Sequence, residues 1–110
     1  MTVDVRDVAR AHILALSIPP TKSGKHRRLP ISGPPFLWYD AVKYLQETRP
    51  ELRDRLPRIS EGGERLVSIR IDGSWTNKVL GMNERIDWKK SVDDSIDDLL
   101  RIEKEWEREN

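Results

Sequence analysis

Tyr39 and Lys43 are the two side chains whose types and spacing could do chemistry together. They stand four residues apart in FLWYDAVKYLQETRP, so a helix would place both on one face. A lysine ammonium in that position could lower the pKa of the phenol, which could then exchange a proton with an alcohol oxygen. The apolar stripe of the same helix points about 100° or more away from the pair, and no cofactor-binding segment precedes it. We therefore expect a solvated helix face and predict no catalytic residue.

The histidines and acidic pairs do not form a convincing metal or nucleophile site. The chain has two histidines and no cysteine, which excludes cysteine-based zinc binding and a thiol nucleophile. His12 falls on the apolar side of its helix and is expected to be a hydrogen-bonded core residue, whereas His26 is expected to be exposed. Asp93-Asp94 and Asp97-Asp98 share a helix face, but the adjacent Lys89, Lys90 and Arg101 are basic, which favours surface ion pairs over a bound cation. We predict no metal site.

Anion binding has little support. Three basic residues of the run KSGKHRR could contact phosphates: Lys25, Arg27 and Arg28. No aromatic residue is interleaved with them, and the net charge of the chain is only +1. The glycine motif of dinucleotide-binding loops, G-x-G-x-x-G, is absent. We expect no nucleic-acid partner, no cofactor bound by this chain alone and no membrane insertion.

The composition describes one small domain with a thin core. Of 110 residues, 36% are hydrophobic and 35% are charged, and glycine does not lift the apolar share to the roughly 45–50% of ordinary domains. The lack of cysteine gives no reason to expect an oxidising compartment, so we expect a cytoplasmic protein.

Four helices and a few short strands are predicted. Val3 to Val5 alternates apolar and charged residues as a strand does, and Asp7 is interpreted as the N-cap of a helix that ends at Leu16. Apolar side chains of this helix point nearly all round, so it should be covered on most sides. The later elements follow in order: a short strand at 28–32, a helix ended by Pro50, a long loop at 51–70, a helix from Ser74 to Leu80 stopped by Gly81, and a helix from about Asp87 to Trp106 or beyond.

The order of these segments resembles a known family. DVRDVARAHILAL, RLPIS, FLWYDAVKYLQETRPEL, IDGSWTNKVLGM and IDWKKSVDDSIDDLLRIEKEW are similar, in that order, to the C-terminal third of the extended short-chain dehydrogenases. The resemblance is to the branch that contains dihydroflavonol reductases, cinnamoyl-CoA reductases and yeast-type methylglyoxal and aldehyde reductases. It covers nearly the whole chain, and VDVRDVAxAH is a fairly specific phrase of that branch.

The resemblance implies an α/β fragment that is mainly helical with a few short strands. Residues 1–32 would be a remnant of a Rossmann-type sheet, and residues 33–110 a helical substrate-binding lobe, within one folding unit. In the family, the dinucleotide fingerprint and the catalytic Ser, Tyr and Lys precede the Val-Arg-Asp phrase. We therefore expect a truncated chain that is inactive by itself, in which the spacing of Tyr39 and Lys43 is a coincidence.

The implied function is the substrate-binding portion of a reductase of aldehydes or ketones. Completed by an N-terminal portion, it would use NADP or NAD and take a small carbonyl substrate, with Arg6, Arg58 and Trp75 as candidate pocket residues. The alternative is a stand-alone interaction module or a decayed remnant of such a reductase. It would bind a protein partner or a second copy of itself through the apolar face of Val8 to Leu16, which should be exposed if the chain exists alone.

Overall fold

Helices account for all the regular structure in the described residues. The structure is a computed structural model that describes residues 2–22, 27–60 and 69–110. Its elements in chain order are α1 (Val5–Ala15), α2 (Trp38–Thr48), a 3₁₀ helix (Pro50–Arg55), α3 (Ser74–Leu80) and α4 (Trp88–Glu109). α1 packs against α3, while α2 packs against both the 3₁₀ helix and α4.

The segments predicted as strands do not form a sheet. No residue of the described ranges is in a β-strand, so the prediction of short strands at Val3 to Val5 and at 28–32 is wrong. A backbone hydrogen bond from Gly33 N to Thr2 O, at 2.8 Å, connects the two segments. A strand needs a neighbouring strand to pair its backbone groups, and the described part of the chain supplies no such ladder. Leu29 and Ile31 contribute instead by packing against the core.

The first helix begins earlier than the sequence predicted. Its N-cap is Asp4, whose side chain accepts a hydrogen bond from the backbone N–H of Arg6, and not Asp7. Both aspartates precede apolar residues, so the local pattern did not separate them. Because the helix starts at Val5, Asp7 lies in the first turn and its carboxylate is available for a contact elsewhere.

The remaining helices agree closely with the sequence. α2 ends at Thr48, just before Pro50, and α4 begins at Trp88. Gly81 ends α3 with a left-handed φ of 65°, the conformation that glycine adopts most easily. The loop predicted at 51–70 is the exception, because it opens with the 3₁₀ helix, in which Leu52 is buried. Residues 61–68 of that loop lie outside the described residues.

The core is thin and divided. The buried apolar residues of the described ranges are Ala11, Ala41, Leu45, Leu52, Leu80 and Met82. α4 has no buried residue along its 22 positions. The radius of gyration is 18.5 Å, whereas a compact domain of this length has about 13 Å. In the ranges that the structure describes, no helix is long and apolar enough to cross a membrane.

Candidate functional site

A polar junction joins the start of α1 to the first half of α4. It consists of Asp4 and Arg6 from the α1 side and Ser91 and Asp94 from α4. Arg6 donates to Asp4 from its backbone N–H at 2.8 Å, from Nε at 2.9 Å and from Nη2 at 2.8 Å. Across the junction, the Ser91 hydroxyl donates to Asp4 Oδ2 at 2.5 Å, and Arg6 Nη1 lies 2.7 Å from Asp94 Oδ2. One carboxylate therefore caps α1 and holds α4 at the same time.

The charges of the junction stabilise one another. The Asp4 side chain is only 5% exposed, and such burial alone would raise its pKa. The hydrogen bonds from the Arg6 guanidinium outweigh burial and hold the pKa of Asp4 far below its usual range, helped by Ser91. Lys90 and then Arg6 lower the pKa of Asp94, and the bonds to Asp4 and Asp94 raise the pKa of Arg6. Asp4, Arg6 and Asp94 therefore stay ionised at neutral pH.

Asp7 makes a second connection one turn further along α1. Asp7 is 4% exposed, and its Oδ2 accepts a hydrogen bond from the backbone N–H of Ile86 at 2.8 Å. This bond fixes the segment that leads from α3 into α4. The three charged residues of the DVRD phrase, Asp4, Arg6 and Asp7, thus all position the helices that follow.

The predicted pocket residues are not brought together by a contact. Arg6 belongs to the polar junction, where two carboxylates already occupy its guanidinium. Arg58 is exposed after the 3₁₀ helix, and Trp75 is 57% exposed at the start of α3. Among the described residues, no hydrogen bond, ion pair or ring contact joins any two of the three. Their place in a substrate pocket stays a prediction.

Tyr39 and Lys43 both lie on the exposed side of α2. Lys43 lines a shallow, open groove between α2 and the 3₁₀ helix with three other residues, Gln46, Glu47 and Arg53. Tyr39 is not among the residues of that groove, so the two side chains do not share a site of the kind that proton transfer requires.

The acidic residues of α4 make ion pairs. Arg49 Nη2 donates to Asp97 at 2.6 Å, and Arg55 contacts Glu103 through two hydrogen bonds of 2.8 and 3.0 Å. Within α4, Arg101 bonds both Asp98 and Glu105. No group of three or more possible metal ligands occurs in the described ranges. The acidic face therefore attaches α4 to α2 and to the 3₁₀ helix.

An aromatic cluster lies where α2 meets the start of α4. Phe36 and Tyr44 both contact the ring of Trp88 edge to face, with centroids 5.5 and 5.6 Å apart. The Tyr44 hydroxyl donates to Asp93 Oδ2 at 2.6 Å, and this bond is the main reason that the pKa of Tyr44 is raised. Trp38 contacts the ring of Phe36 edge to face but is 78% exposed. The sequence pattern did not single out Phe36, because the cluster forms between segments distant in sequence.

His12 is not the core residue that was predicted. It is exposed, and its Nδ1 lies 2.7 Å from Val8 O, one turn earlier in α1. The prediction failed because it assumed that the apolar side of α1 is the buried side. In the basic run, Arg27 and Arg28 are exposed, while Lys25 and His26 lie outside the described residues.

One face of α1 is apolar and uncovered. The helix buries Asp7 and Ala11, and the opposite side carries Val5, which is 77% exposed, Ile13, 67%, and Leu16, 84%. Ala9 is exposed between them. The apolar face predicted at Val8 to Leu16 is therefore present, but it begins at Val5, and Val8 is half-buried at its edge.

The surface of the whole chain is larger than its mass requires. The accessible surface is 9179 Å², whereas a compact protein of this mass exposes about 6,300 Å². The excess is about 2,900 Å².

Sequence comparison shows which proteins the chain is similar to. The chain matches the C-terminal part of reductases of the short-chain dehydrogenase type, which confirms the resemblance. The NADPH-dependent methylglyoxal reductase of Saccharomyces cerevisiae is 30% identical over 104 residues, which are 92% of this chain and 29% of that protein. A Candida albicans protein provisionally named an NADPH-dependent methylglyoxal reductase is 31% identical over 101 residues. An Aspergillus niger ketoreductase is 38% identical over 99 residues. Each of these two matches covers 89% of this chain and 28% of the relative.

The matched segment is short compared with these relatives. The chain spans less than a third of the length of each curated relative described above. No protein-family model matches the chain, and no solved structure matches it.

Proposed function

We propose that this chain is the substrate-binding, C-terminal portion of an NADPH-dependent reductase of small aldehydes or ketones. The observation that carries the proposal is the match of about 90% of the chain to the C-terminal 28–29% of reductases that carry methylglyoxal reductase or ketoreductase in their names. In the structure, the charged residues of the DVRD phrase hold α1 and the start of α4 in place.

The residues of this chain do not fit the dinucleotide itself. A dinucleotide site places a glycine-rich turn between a strand and the N-terminus of a helix. In the ranges described, the glycine with a left-handed φ is Gly81, which ends a helix. Three arginines, Arg6, Arg49 and Arg55, are already held by carboxylates of the chain itself. We therefore assign the cofactor to a separate portion of the proposed enzyme, which the uncovered face of α1 would contact.

In this proposal the chain binds and orients the carbonyl substrate. Exposed aromatic and basic side chains would line its share of the pocket, with Arg58 and Trp75 as the first candidates. Arg6 is a positioning residue, because its guanidinium is held by Asp4 and Asp94. The cytoplasmic location expected from the sequence stays a prediction.

A chimera tests the proposal. The matched C-terminal part of the S. cerevisiae reductase is replaced by this chain, and NADPH consumption with methylglyoxal is measured. We expect activity from the chimera and none from either part alone. A chimera with Trp75→Ala should show a raised KM, while a chimera with the exposed Asp98→Ala should not. A folded chimera that binds NADPH but reduces neither methylglyoxal nor a panel of aldehydes and ketones would refute the proposal.

A second candidate function is a stand-alone interaction module. The uncovered apolar face of α1 and the excess accessible surface favour it. In that case the 110-residue chain should fold, bind an apolar dye and associate with other protein. A strictly monomeric chain without dye binding would exclude this function.

A further inference from the structure

The C-terminal half of α4 carries an apolar stripe that the rest of the described chain leaves uncovered. The stripe consists of Leu99, Ile102 and Trp106, which point within about 60° of one another at about 100° per residue, and we call it the α4 stripe. Leu99 is 60% exposed and Trp106 66%, and Ile102 is half-buried between them. Beyond Glu103, the hydrogen bonds and ion pairs that α4 makes in the described ranges stay within the helix itself.

Acidic residues border the α4 stripe on both sides. Helical geometry places Glu105 and Glu109 on one side and Glu103 and Glu107 on the other, at about 50–110° from the centre of the stripe. The basic residues of this half of the helix lie on its back, at about 130–170° from that centre: Arg101, Lys104 and Arg108. Glu103 is bonded by Arg55 and Glu105 by Arg101, whereas Glu107 and Glu109 have no ion pair in the described ranges. Surface pairs of this kind are weak, so the border keeps its attraction for the cations of a partner.

We propose that the α4 stripe is the docking surface for a basic amphipathic helix of another protein. Leu99, Ile102 and Trp106 are spaced by three and four residues, as are the a and d positions of paired helices, and Glu103 and Glu105 then take the flanking e and g positions. Charges at e and g select the partner in such pairs, so acidic residues at both positions favour lysine or arginine on the partner. Trp106 is the anchor of the contact, because large aromatic side chains contribute most to protein interfaces.

The acidic border disfavours two other occupants of the α4 stripe. A second copy of this chain would bring its own glutamates against those of the first, and like charges across an interface oppose association. An anionic lipid surface would meet the same repulsion. A helix with basic residues on both sides of an apolar stripe meets neither obstacle, so the charge pattern selects it.

The α4 stripe is separate from the uncovered face of α1. α1 contacts α4 through Ser91 and Asp94, and Trp106 lies about 18 Å beyond Asp94 along the helix axis. The cofactor-binding portion of the proposed reductase is assigned to the face of α1, so we take the partner at the α4 stripe to be a separate protein. The inference does not rest on the proposed function. From Leu99 to Trp106 the stripe is about 10 Å long, and we therefore expect a weak, reversible complex.

Two synthetic helical peptides test the charge complementarity. Both have leucine at the a and d positions, and one has lysine at e and g where the other has glutamate. The fluorescence anisotropy of each labelled peptide is measured as the 110-residue chain is added up to about 1 mM. We expect the lysine peptide to bind with an affinity that falls as salt is added, and the glutamate peptide to bind about tenfold more weakly or less. Equal binding of the two peptides, or no binding of the lysine peptide, would overturn the proposal.

Two tryptophan variants locate the bound peptide. Trp106→Ala should weaken binding of the lysine peptide about tenfold or more, because it removes the anchor. Trp38→Ala is the matched control, because Trp38 is 78% exposed on a different helix, and it should leave the affinity unchanged. Equal effects of the two variants would contradict the assignment to α4. If circular dichroism shows that Trp106→Ala loses helix, the comparison of the two peptides on the wild-type chain decides.

Neutralising one side of the border tests the role of the glutamates. The double variant Glu105→Gln with Glu109→Gln should weaken binding of the lysine peptide about threefold to tenfold, and it leaves Glu103 bonded to Arg55. The control removes the same charge at exposed positions elsewhere, Glu47→Gln with Glu84→Gln, and should have a much smaller effect. If the two double variants weaken binding equally, the peptide responds to net charge alone and the proposal fails.

The other occupants are tested with the same chain and the same tryptophan variant. Sedimentation equilibrium measures self-association, and co-sedimentation measures binding to vesicles of phosphatidylserine and phosphatidylcholine. We expect that Trp106→Ala changes neither result. Self-association that Trp106→Ala abolishes would assign the α4 stripe to a second copy of the chain, and vesicle binding that it abolishes would assign the stripe to a membrane. Either result would overturn the proposal.

Discussion

The buried carboxylate of Asp4 is the group whose removal should destabilise this chain most. It caps α1 through the backbone N–H of Arg6, bonds the Arg6 guanidinium twice and accepts from Ser91 of α4. Asp4→Ala removes all four bonds at once. Loss of an N-cap costs about 1 kcal/mol. Loss of the hydrogen bonds between the Asp4 carboxylate and the Arg6 guanidinium adds about 2 kcal/mol to this cost. This value is low for charged groups, because Arg6 keeps its ion pair with Asp94 and contacts water. We therefore expect Asp4→Ala to lower the free energy of unfolding by about 3 kcal/mol.

Two further variants separate the causes. Asp4→Asn keeps the capping oxygen and the size of the side chain but removes the charge, so its cost should be about 2 kcal/mol. Asp98→Ala is the control: Asp98 also accepts two hydrogen bonds from an arginine, Arg101, but on the open surface of α4. Surface substitutions of this kind change stability by about 0.5 kcal/mol or less.

The effect depends on pH in a defined direction. The pKa of Asp4 is lowered in the folded chain, so its ionised form stabilises the fold fully above the unfolded pKa of about 3.9. That stabilisation is lost as the pH falls from there toward the folded value. The difference between wild type and Asp4→Asn should therefore be constant near neutrality and shrink below about pH 4.

Urea unfolding followed by tryptophan fluorescence measures these differences. The chain has four tryptophans, and Trp88 is the first residue of α4, the helix that the junction holds. If Asp4→Ala and Asp98→Ala lose the same stability, the junction does not hold α1 against α4 and the reasoning from burial and hydrogen bonds is refuted.

Three further predictions concern single positions. Gly33→Ala should lower the free energy of unfolding by about 1–3 kcal/mol, because a Cβ there collides with the backbone oxygen of Thr2. Gly73→Ala is the control, because a Cβ at that position meets only Ser32 Oγ at 3.7 Å. Equal urea midpoints for the two variants would contradict this prediction. Gly81→Ala should lower the free energy of unfolding by about 1–2 kcal/mol, because the backbone φ there is 65°, although a Cβ would meet no other atom. An unchanged urea midpoint would show that the turn relaxes freely. Asp93→Asn should lower the pKa of Tyr44 toward about 10, since the Asp93 carboxylate raises that pKa. Absorbance titration at alkaline pH measures the pKa of Tyr44 in a Tyr39→Phe background. An unchanged pKa would exclude the hydrogen bond between Tyr44 and Asp93.

Local patterns explain why some elements were predictable. Gly81 after an apolar-periodic segment and Pro50 after another both mark helix ends by backbone chemistry alone, and α3 and α2 end there. The periodic apolar residues of the last segment likewise predicted α4. These features depend on residues within a few positions of one another, so no knowledge of the rest of the fold is needed.

The features that were predicted wrongly depend on contacts between residues that are distant in the chain. Val3 to Val5 alternates like a strand, but a strand exists only where a neighbour pairs with it, and the described residues provide none. Asp4 and Asp7 are equivalent as caps in sequence. They differ because Ser91 and the backbone N–H of Ile86, more than 75 positions away, select one contact for each.

The sequence by itself determined the helical segments, the absence of a dinucleotide motif and the relationship to one part of a reductase. Only the tertiary structure decided which face of α1 is buried. Apolar residues lie nearly all round that helix, so the sequence pattern alone does not select the buried face. The buried face is selected by the contacts of Ala11 with Leu80 and Met82 and of Asp7 with Ile86. Those contacts leave Val5, Ala9 and Ile13 uncovered.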